Sequence, residues 1–348
     1  MSDLKTNKNR LITLAIDATD LIIGGGVTHI VELLNSSKVS EFKIDKIIIW
    51  GFAKTLNKIN NKDFLIKKSP IWINGGIIKR ILWKIFIFPY LLKKYQVDLL
   101  FVPGGSYLGP FKPTVVMCRN MLPFHWREIS RYGIGYQLFR LLALRHIHLA
   151  SFKNNDGVIF LNDFAKRKIL ESSGKLKGID AIIPHGLNKR FLKKSRKCFP
   201  ISSYSKSKPF KLIYVSDLEA YKHHWHVVSA VSLVREQTGW PLELNLVGRP
   251  RHKPSSVLLK KAIKKYDPFS SWIKLLENIE YEHLHSLYKD VDLGIFASTC
   301  ENHPNIILEY MGCSLPFISS YREPMPSITE NLTYYFNPED PEDISKNI

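Results

Sequence analysis

The sequence predicts an α/β protein built from two doubly wound, Rossmann-like domains. Its 348 residues, 45% of them apolar, are enough for two domains of about 150 to 200 residues each. Short apolar runs alternate with helical stretches, a pattern typical of a parallel sheet covered on both faces. A stretch rich in Lys, Ser and Pro, residues 190–209, separates two such halves. We therefore expect an N-terminal domain over residues 1–195, a linker over 196–209 and a C-terminal domain over 210–348.

The first half begins with an apolar strand pattern at residues 11–16, followed by three glycines and a helical pattern. Further runs have the length and composition of buried strands: residues 44–50, 98–102, 114–118, 157–161 and 181–184. A long helical stretch covers residues 140–152.

The second half restarts the alternation after the linker. Strands are expected at residues 210–215, 242–247, 272–275, 293–296 and 316–319, and helices at 226–237, 257–266, 283–288 and 305–312. Residues 340–343 have the composition of a helix cap and first turn, so a further helix begins near the end of the chain, which we expect to be truncated there. Ligands of such sheets bind beyond the carboxyl ends of the strands.

The cysteines and the N-terminus indicate a protein of the reducing cytoplasm. The four cysteines form no CxxC pair and no zinc spacing, so neither a disulfide framework nor a structural metal is expected. Residues 1–10 are polar and lack the apolar core of a secretory signal. The longest apolar stretch, residues 77–92, contains Lys79, Arg80, Lys84 and Pro89, which argues against a membrane span.

A formal net charge of +19 favours an anionic partner. A nucleotide diphosphate, an acidic lipid surface and a nucleic acid all satisfy this condition. The basic residues are spread along the chain without an aromatic-interleaved stripe, so a nucleic-acid-binding protein is the weakest of the three hypotheses.

The segment from Glu301 to Glu309 carries the most specific signal. The two carboxylates are eight residues apart, with Glu301 in the loop after a strand and Glu309 about one turn into a helix. The first N–H groups of that helix, near Asn305 and Ile306, suit phosphate oxygens. From spacing alone, two solvent-exposed glutamates are an equally good interpretation.

This segment resembles the E-x7-E signature of the retaining glycosyltransferases of family 4, which adopt the GT-B fold of two Rossmann-like domains facing each other across a cleft. The flank Met311-Gly-Cys-Ser-Leu-Pro316 is similar to the family's Met-Ala-x-Gly-x-Pro, except for Ser314 at the usual glycine. The resemblance implies that Glu301 lies by the donor sugar and that Glu309 hydrogen-bonds the ribose of the nucleotide.

A second block, residues 212–224, is similar to the family's strand-Gly-Arg-x4-Lys motif, in which Arg and Lys neutralise the donor diphosphate. Lys222 matches, whereas Asp217 stands at the arginine position. The resemblance therefore assigns more of the charge stabilisation of the leaving diphosphate to Lys222. A solvated loop lysine is the alternative.

Three weaker matches lie in the first half. Gly25 and Gly26 resemble the family's glycine-rich loop near the donor phosphate or acceptor, although glycines commonly serve only to turn the chain. Residues 184–188 are similar to the family's Pro-Asn-Gly-Val-Asp segment, and a simple turn is the alternative. His125, which follows Arg119-Asn120-Met-Leu-Pro-Phe, stands where the family often presents a polar residue to the sugar.

We expect no metal or other cofactor. Asp290-Val-Asp292 resembles the DxD triplet of another glycosyltransferase class, but it joins a helix to a strand, where turn capping is the favoured role. His223, His224 and His226 lack an acidic partner and are expected in a polar loop. The residues of hydrolases, P-loop kinases and nicotinamide dehydrogenases are missing.

The resemblance implies a metal-independent hexosyltransferase that uses a nucleotide-diphosphate sugar. The acceptor is expected to be a glycan or a lipid-linked glycan of bacterial surface polysaccharide or lipopolysaccharide synthesis. Residues 77–94 suit a helix on the anionic inner membrane surface, with Trp83, Phe86 and Phe88 as apolar anchors, although a core-facing helix is the favoured alternative. Asp217 and the end of the chain leave one rival hypothesis, a GT-B binding or regulatory protein with impaired catalysis.

Overall fold

A computed structural model describes residues 11–194, 197–277 and 279–348. These residues form two compact units, one made of residues up to 119 together with 142–184, the other of 120–141 together with the residues from 185 onward. The division differs from the expected one at residues 185–194, which join the C-terminal unit, and at the segment 120–141. That segment belongs to the C-terminal unit because Glu128, Arg131 and Tyr132 form hydrogen bonds with residues of the second half.

The N-terminal unit contains a seven-stranded parallel sheet in the order β3-β2-β1-β4-β5-β6-β7. Its strands are β1 (Ile12–Ala18), β2 (Ile44–Gly51), β3 (Leu65–Lys68), β4 (Leu99–Val102), β5 (Thr114–Met117), β6 (Gly157–Phe160) and β7 (Ile179–Ile182).

The C-terminal unit contains a six-stranded parallel sheet in the order β10-β9-β8-β11-β12-β13. Its strands are β8 (Phe210–Val215), β9 (Leu242–Val247), β10 (Ile273–Leu276), β11 (Leu293–Phe296), β12 (Phe317–Ser320) and β13 (Tyr334–Phe336).

Helices connect the parallel strands. In the first half they are α1 (Gly25–Ser36), α2 (Ala53–Leu56), α3 (Gly76–Leu82), α4 (Phe88–Lys94), α5 (Trp126–Ser130), α6 (Tyr136–Asn154) and α7 (Asp163–Ser173). In the second half they are α8 (His224–Thr238), α9 (Lys253–Tyr266), α10 (Tyr281–Leu287), α11 (Asn305–Gly312), α12 (Met325–Thr329) and α13 (Pro341–Asn347). A π-helical turn, Trp83–Ile87, joins α3 to α4.

Each unit has an apolar core against its sheet. Alternate residues of β8 point to opposite faces, so Leu212 and Tyr214 pack into one buried cluster while Ile213 and Val215 pack into another. In the N-terminal unit, Ile16 and the facing residues of β2 and α1 form a comparable cluster. Two doubly wound α/β sheets therefore confirm the predicted fold class.

The strand order of each sheet reverses at one place, between β1 and β4 in the N-terminal unit and between β8 and β11 in the C-terminal unit. At such switch points the loops that leave the carboxyl ends of the two strands diverge and open a crevice for ligands. The loops after β8 and β11 contain the two blocks that the sequence singled out.

Part of the expected lipid-facing helix is in fact buried. Trp83 and Phe88 are 1% and 0% exposed, and their rings stack with centroids 4.6 Å apart. Lys84 pairs with Asp17 and Asp20. Of the three expected aromatic anchors, only Phe86 is exposed. Within the described residues, no helix is both long and apolar enough to span a bilayer.

Candidate active site

The switch point of the C-terminal sheet brings Lys222 and Glu301 together. Lys222 lies in the loop after β8 and Glu301 in the loop after β11, and Lys222 Nζ donates a hydrogen bond to Glu301 Oε1. Both side chains are largely buried, with 13% and 15% of their surface exposed. The pair is therefore shielded from solvent but still reachable from the crevice.

Aromatic rings and a backbone hydrogen bond hold the lysine in place. Its Nζ lies 5.3 Å from the centroid of Tyr221 and 5.2 Å from that of Phe296, both within cation–π range. The buried Tyr214 hydroxyl donates a 2.7 Å hydrogen bond to the Lys222 carbonyl. The ammonium group is thus placed by the sheet and by its ring neighbours.

Glu309 lies in α11 and is fully buried. The Tyr288 hydroxyl donates a 2.7 Å hydrogen bond to its Oε2. Burial raises the pKa of Glu309 to about 7, although hydrogen bonds from Tyr288 and Tyr281 and the charge of Arg190 act in the opposite direction. A ribose could reach this carboxyl group only if a covering side chain moved.

The start of α11 offers unused hydrogen-bonding groups. Pro304 is the N-cap residue, no side chain caps the helix, and its first turn contains no acidic residue. Asn305 Oδ1 is buried without a hydrogen-bond partner. The N–H groups of Asn305 and Ile306 therefore lie where a helix dipole favours an anion.

Asp217, which stands where the resembled family has an arginine, forms an ion pair with Arg251. Its Oδ1 accepts a 2.9 Å hydrogen bond from the Arg249 backbone N–H, and its Oδ2 accepts one of 3.0 Å from Arg251 Nε. Both partners lie in the loop after β9. The carboxylate is neutralised by this loop and does not stand alone.

The three histidines do not form the expected polar loop. His223 and His224 are 0% and 1% exposed, and burial lowers the pKa of each to about 3, so both are neutral. His223 caps α8 in a left-handed conformation, and His226 Nδ1 lies 3.1 Å from the Pro338 carbonyl. The sequence predicted a helix from residue 226, whereas α8 begins at His224, so the expectation of a polar loop was wrong.

The segment 120–141 contributes a residue that sequence reasoning missed. The carboxylate of Glu128, only 4% exposed, accepts hydrogen bonds of 2.7 Å from both Thr299 Oγ1 and Arg131 Nε. The Thr299 hydroxyl also lies 3.1 Å from His223 Nε2. The Thr299 hydroxyl, in the loop before Glu301, therefore connects Glu128 with His223, the residue after Lys222. The only sequence pattern that pointed to Glu128 was the arginine three residues later, Arg131.

The remaining candidates lie at the starts of two helices. His125 is the N-cap residue of α5, in the same segment as Glu128, and its carbonyl accepts hydrogen bonds from the N–H groups of Glu128 and Ile129. Gly25 and Gly26 begin α1 of the N-terminal unit. Their roles at a ligand stay predictions.

The DxD triplet has a local role. Asp292 accepts hydrogen bonds from the Tyr204 hydroxyl at 2.7 Å and from the Lys211 backbone N–H at 2.8 Å, which fastens the start of β8. Among the residues that the structure describes, no group of three or more His, Cys, Asp or Glu side chains is arranged to hold a metal ion. Metal independence itself stays a prediction.

Comparison with known proteins finds one matching family and a set of similar solved structures. Residues 199–348 match the family Glycosyl transferases group 1. No curated protein matches the chain.

Three solved structures illustrate the fold similarity. Alr3699/HepE of Anabaena, in complex with UDP and glucose, is 14% identical over 96% of this chain and 88% of its own, with a TM-score of 0.68. Sucrose-phosphate synthase of Thermosynechococcus elongatus is 14% identical over 97% and 88%, with a TM-score of 0.70. WaaG, a glycosyltransferase involved in lipopolysaccharide biosynthesis, is 13% identical over 97% and 90%, with a TM-score of 0.67. The chain thus has the GT-B fold, and its residues 199–348 are similar to the family Glycosyl transferases group 1.

Proposed function

We propose that this protein is a retaining glycosyltransferase that moves a hexose-type sugar from a nucleotide-diphosphate sugar to a glycan or lipid-linked acceptor. The observation that carries the proposal is the Lys222–Glu301 pair at the switch point of a Glycosyl transferases group 1 domain. HepE in complex with UDP-glucose places UDP-sugars first among the donors to test.

The pair gives each of two largely buried charges a counter-ion. The attraction between Lys222 and Glu301 offsets part of the cost of desolvating them. An entering diphosphate competes for Lys222, which then stabilises the leaving group, and Glu301 is freed to accept hydrogen bonds from the donor sugar. The α11 N–H groups add to the positive potential, and the acceptor hydroxyl attacks from the face that the diphosphate leaves.

The donor can be identified with the full chain by a thermal-shift screen of UDP-, GDP- and ADP-sugars, because a ligand of the folded state raises Tm. The best donor is then used to measure hydrolysis and transfer. We expect Lys222→Gln and Glu301→Gln each to lower kcat/KM by about 100-fold or more, in line with the loss of a charged group that acts in the transition state.

Exposed matched residues provide the controls. Lys260→Gln on α9 and Glu282→Gln on α10 make the same chemical changes away from the site and are expected to leave kcat/KM unchanged. Full activity of Glu301→Gln would contradict the proposal. Binding of a donor without turnover in wild type would instead favour the binding or regulatory protein, the candidate that Asp217 supports.

Retention and metal independence need separate readouts. The anomeric configuration of the fresh product, followed by NMR, is expected to equal that of the donor. Activity is expected to persist in excess EDTA. An inverted product, or loss of activity that Mg²⁺ or Mn²⁺ restores, would remove the corresponding part of the proposal.

A lipid-linked acceptor is supported by the exposed face of residues 76–94. Six large apolar side chains recur there at helical spacing and are 45–70% exposed: Ile78, Ile81, Leu82, Ile85, Phe86 and Tyr90. Exposed lysines Lys79, Lys93 and Lys94 accompany them. An apolar face with basic neighbours suits the surface of an anionic membrane.

Flotation with phosphatidylglycerol-containing vesicles tests this part. We expect the wild-type chain to float, and Ile85→Ser/Phe86→Ser to bind at least about tenfold more weakly, since each buried apolar side chain contributes about 1.5 to 3 kcal/mol. Phe269→Ser, which removes a 91% exposed phenylalanine from the C-terminal unit, is the control. Equal flotation of both variants, or none by wild type, would remove the membrane from the proposal.

A further inference from the structure

A cavity of about 620 Å³ lies in the C-terminal unit, at the end of the sheet away from Lys222 and Glu301. Its wall includes Phe210 and Leu293, at the starts of β8 and β11, Pro316 just before β12, and part of the stretch that precedes β8. Lys222 and Glu301 instead follow the carboxyl ends of β8 and β11. The cavity is therefore separate from the Lys222–Glu301 pair.

Lysines dominate the charge of this cavity. Six of the described lysines line it: Lys193, Lys194, Lys197, Lys208, Lys211 and Lys289. Two aspartates, Asp290 and Asp292, also belong to the wall, which leaves a formal excess of four positive charges. Among the residues that the structure describes, none of the six lysines forms an ion pair with a carboxylate. Like charges gathered in this way repel one another, so an anion in the cavity would be stabilised.

Aromatic rings form another part of the wall. Lys208 Nζ lies 5.5 Å from the ring centroid of Phe199, within cation–π range. The rings of Tyr204 and Phe210 meet edge to face, with centroids 5.1 Å apart. The volume is typical of small-molecule sites, which measure about 300 to 1,000 Å³. The cavity thus has room for several phosphate groups and for an organic part that packs against the rings.

We propose that this cavity binds a soluble small molecule with two or more phosphate groups. Lysine ammonium groups bind phosphate oxygens as point charges, and several of them around one cavity match a ligand with several negative charges. The sequence presented most of these lysines only as part of a linker. The site does not use Lys222 or Glu301, so a failure to detect sugar transfer would leave the proposal standing.

Cys198 provides a local readout in the wild-type chain. It lines the cavity and is exposed, whereas Cys118, Cys300 and Cys313 are buried. The full chain is alkylated with N-ethylmaleimide at constant ionic strength, with inorganic pyrophosphate as the probe, and peptide mass spectrometry reports the rate at Cys198. Pyrophosphate is expected to slow this alkylation at least about threefold. Equal rates with and without pyrophosphate would overturn the proposal.

Orthophosphate tests the number of phosphate groups by the same readout. We expect it to protect Cys198 only at concentrations at least about tenfold higher than pyrophosphate, because it offers the lysines fewer charges. Equal protection by the two anions would contradict the requirement for two phosphate groups.

Two matched double variants test the lysines. Lys208→Gln/Lys289→Gln removes two exposed charges from the wall. It is expected to raise the pyrophosphate concentration that half-protects Cys198 at least about tenfold, which corresponds to about 1.4 kcal/mol. Lys206→Gln/Lys260→Gln removes two exposed charges that do not line the cavity and is expected to change little. Equal effects of the two variants would show that overall charge attracts the anion, which would contradict the proposal.

Two further measurements separate the cavity from other places that attract phosphate. Lys222→Gln is expected to retain the protection of Cys198, and loss of the protection would assign the effect to the candidate donor site. Phosphatidylglycerol-containing vesicles are expected to protect Cys198 less than pyrophosphate at equal phosphate concentration, because a membrane presents its phosphates on a surface. Protection by vesicles alone would identify a lipid headgroup as the ligand and overturn the proposal of a soluble one.

Discussion

Glu309→Gln should change the pH dependence of stability in a way that an exposed glutamate cannot. Burial raises the pKa of Glu309 from 4.5 to about 7. Below pH 4.5 this carboxyl group is protonated in both the folded and the unfolded chain, and its full contribution to stability is present. Between pH 4.5 and 7 the unfolded chain ionises first, so the folded state loses stability as the pH rises. At 1.36 kcal/mol per pH unit, the loss amounts to about 3 kcal/mol.

Urea unfolding of wild type and Glu309→Gln at pH 5 and pH 8 measures this loss. Glutamine keeps the shape of the side chain and can still accept the Tyr288 hydrogen bond, but it has no proton to lose. We expect the free energy of unfolding of the variant, relative to wild type, to be about 2 to 3 kcal/mol higher at pH 8 than at pH 5. Glu282→Gln, on the exposed surface of α10, should show no such difference. A pH-independent difference for Glu309→Gln would refute the reasoning.

The same carboxyl group links nucleotide binding to pH. Ribose hydroxyls that donate to Glu309 favour its ionised form and therefore lower its pKa. UDP affinity of wild type is then expected to be about tenfold lower at pH 6 than at pH 8, as measured by calorimetry, while that of Glu309→Gln changes little. If wild type and variant respond to pH alike, the ribose does not bind Glu309.

Three further substitutions test how the loops around the sites are held, each by urea unfolding. Lys84→Met leaves the buried Asp17 and the more exposed Asp20 without their cation and should lower the free energy of unfolding by about 3 kcal/mol, and a loss below about 1 kcal/mol would contradict this. Gly248→Ala should lower the free energy of unfolding by about 2 kcal/mol or more, because Gly248 has φ +150° and a Cβ atom there would collide with the Ser216 carbonyl. An unchanged free energy of unfolding would show that the loop relaxes. Thr299→Val removes the hydroxyl between Glu128 and His223 and should lower the free energy of unfolding by about 2 kcal/mol. Thr299→Ser keeps the hydroxyl and should lower it clearly less. Equal losses in the two variants would argue against a contribution from these hydrogen bonds.

The second half of the sequence predicted most of its elements closely because its central strands are short, mainly apolar and largely buried. Strands β8, β9 and β11 and helix α11 have the bounds that the pattern indicated. Strands β3 and β13 were missed. The sequence of β3, Leu-Ile-Lys-Lys, has only two apolar residues, and β13 has three residues, so neither shows a period. Both lie at sheet edges, where one side needs no partner strand.

The candidate site was less predictable, because sequence shows charges but not their partners. Lys222 and Glu301 were each singled out by their motif, and the strand order then explains why they meet. Glu128 was missed because its burial depends on residues 120–141 joining the C-terminal unit.

Asp217 shows how partners change the meaning of a substitution. Replacing an arginine by an aspartate changes the local charge from +1 to −1, that is, by two units. Near a bound diphosphate such a change argues for lost catalysis. In the structure Arg251 and the Arg249 N–H neutralise that carboxylate, so the local change is the loss of one cation. Lys222, α11 and the strongly basic chain remain to offset that loss. The replacement is therefore compatible with a working donor site of weaker diphosphate affinity.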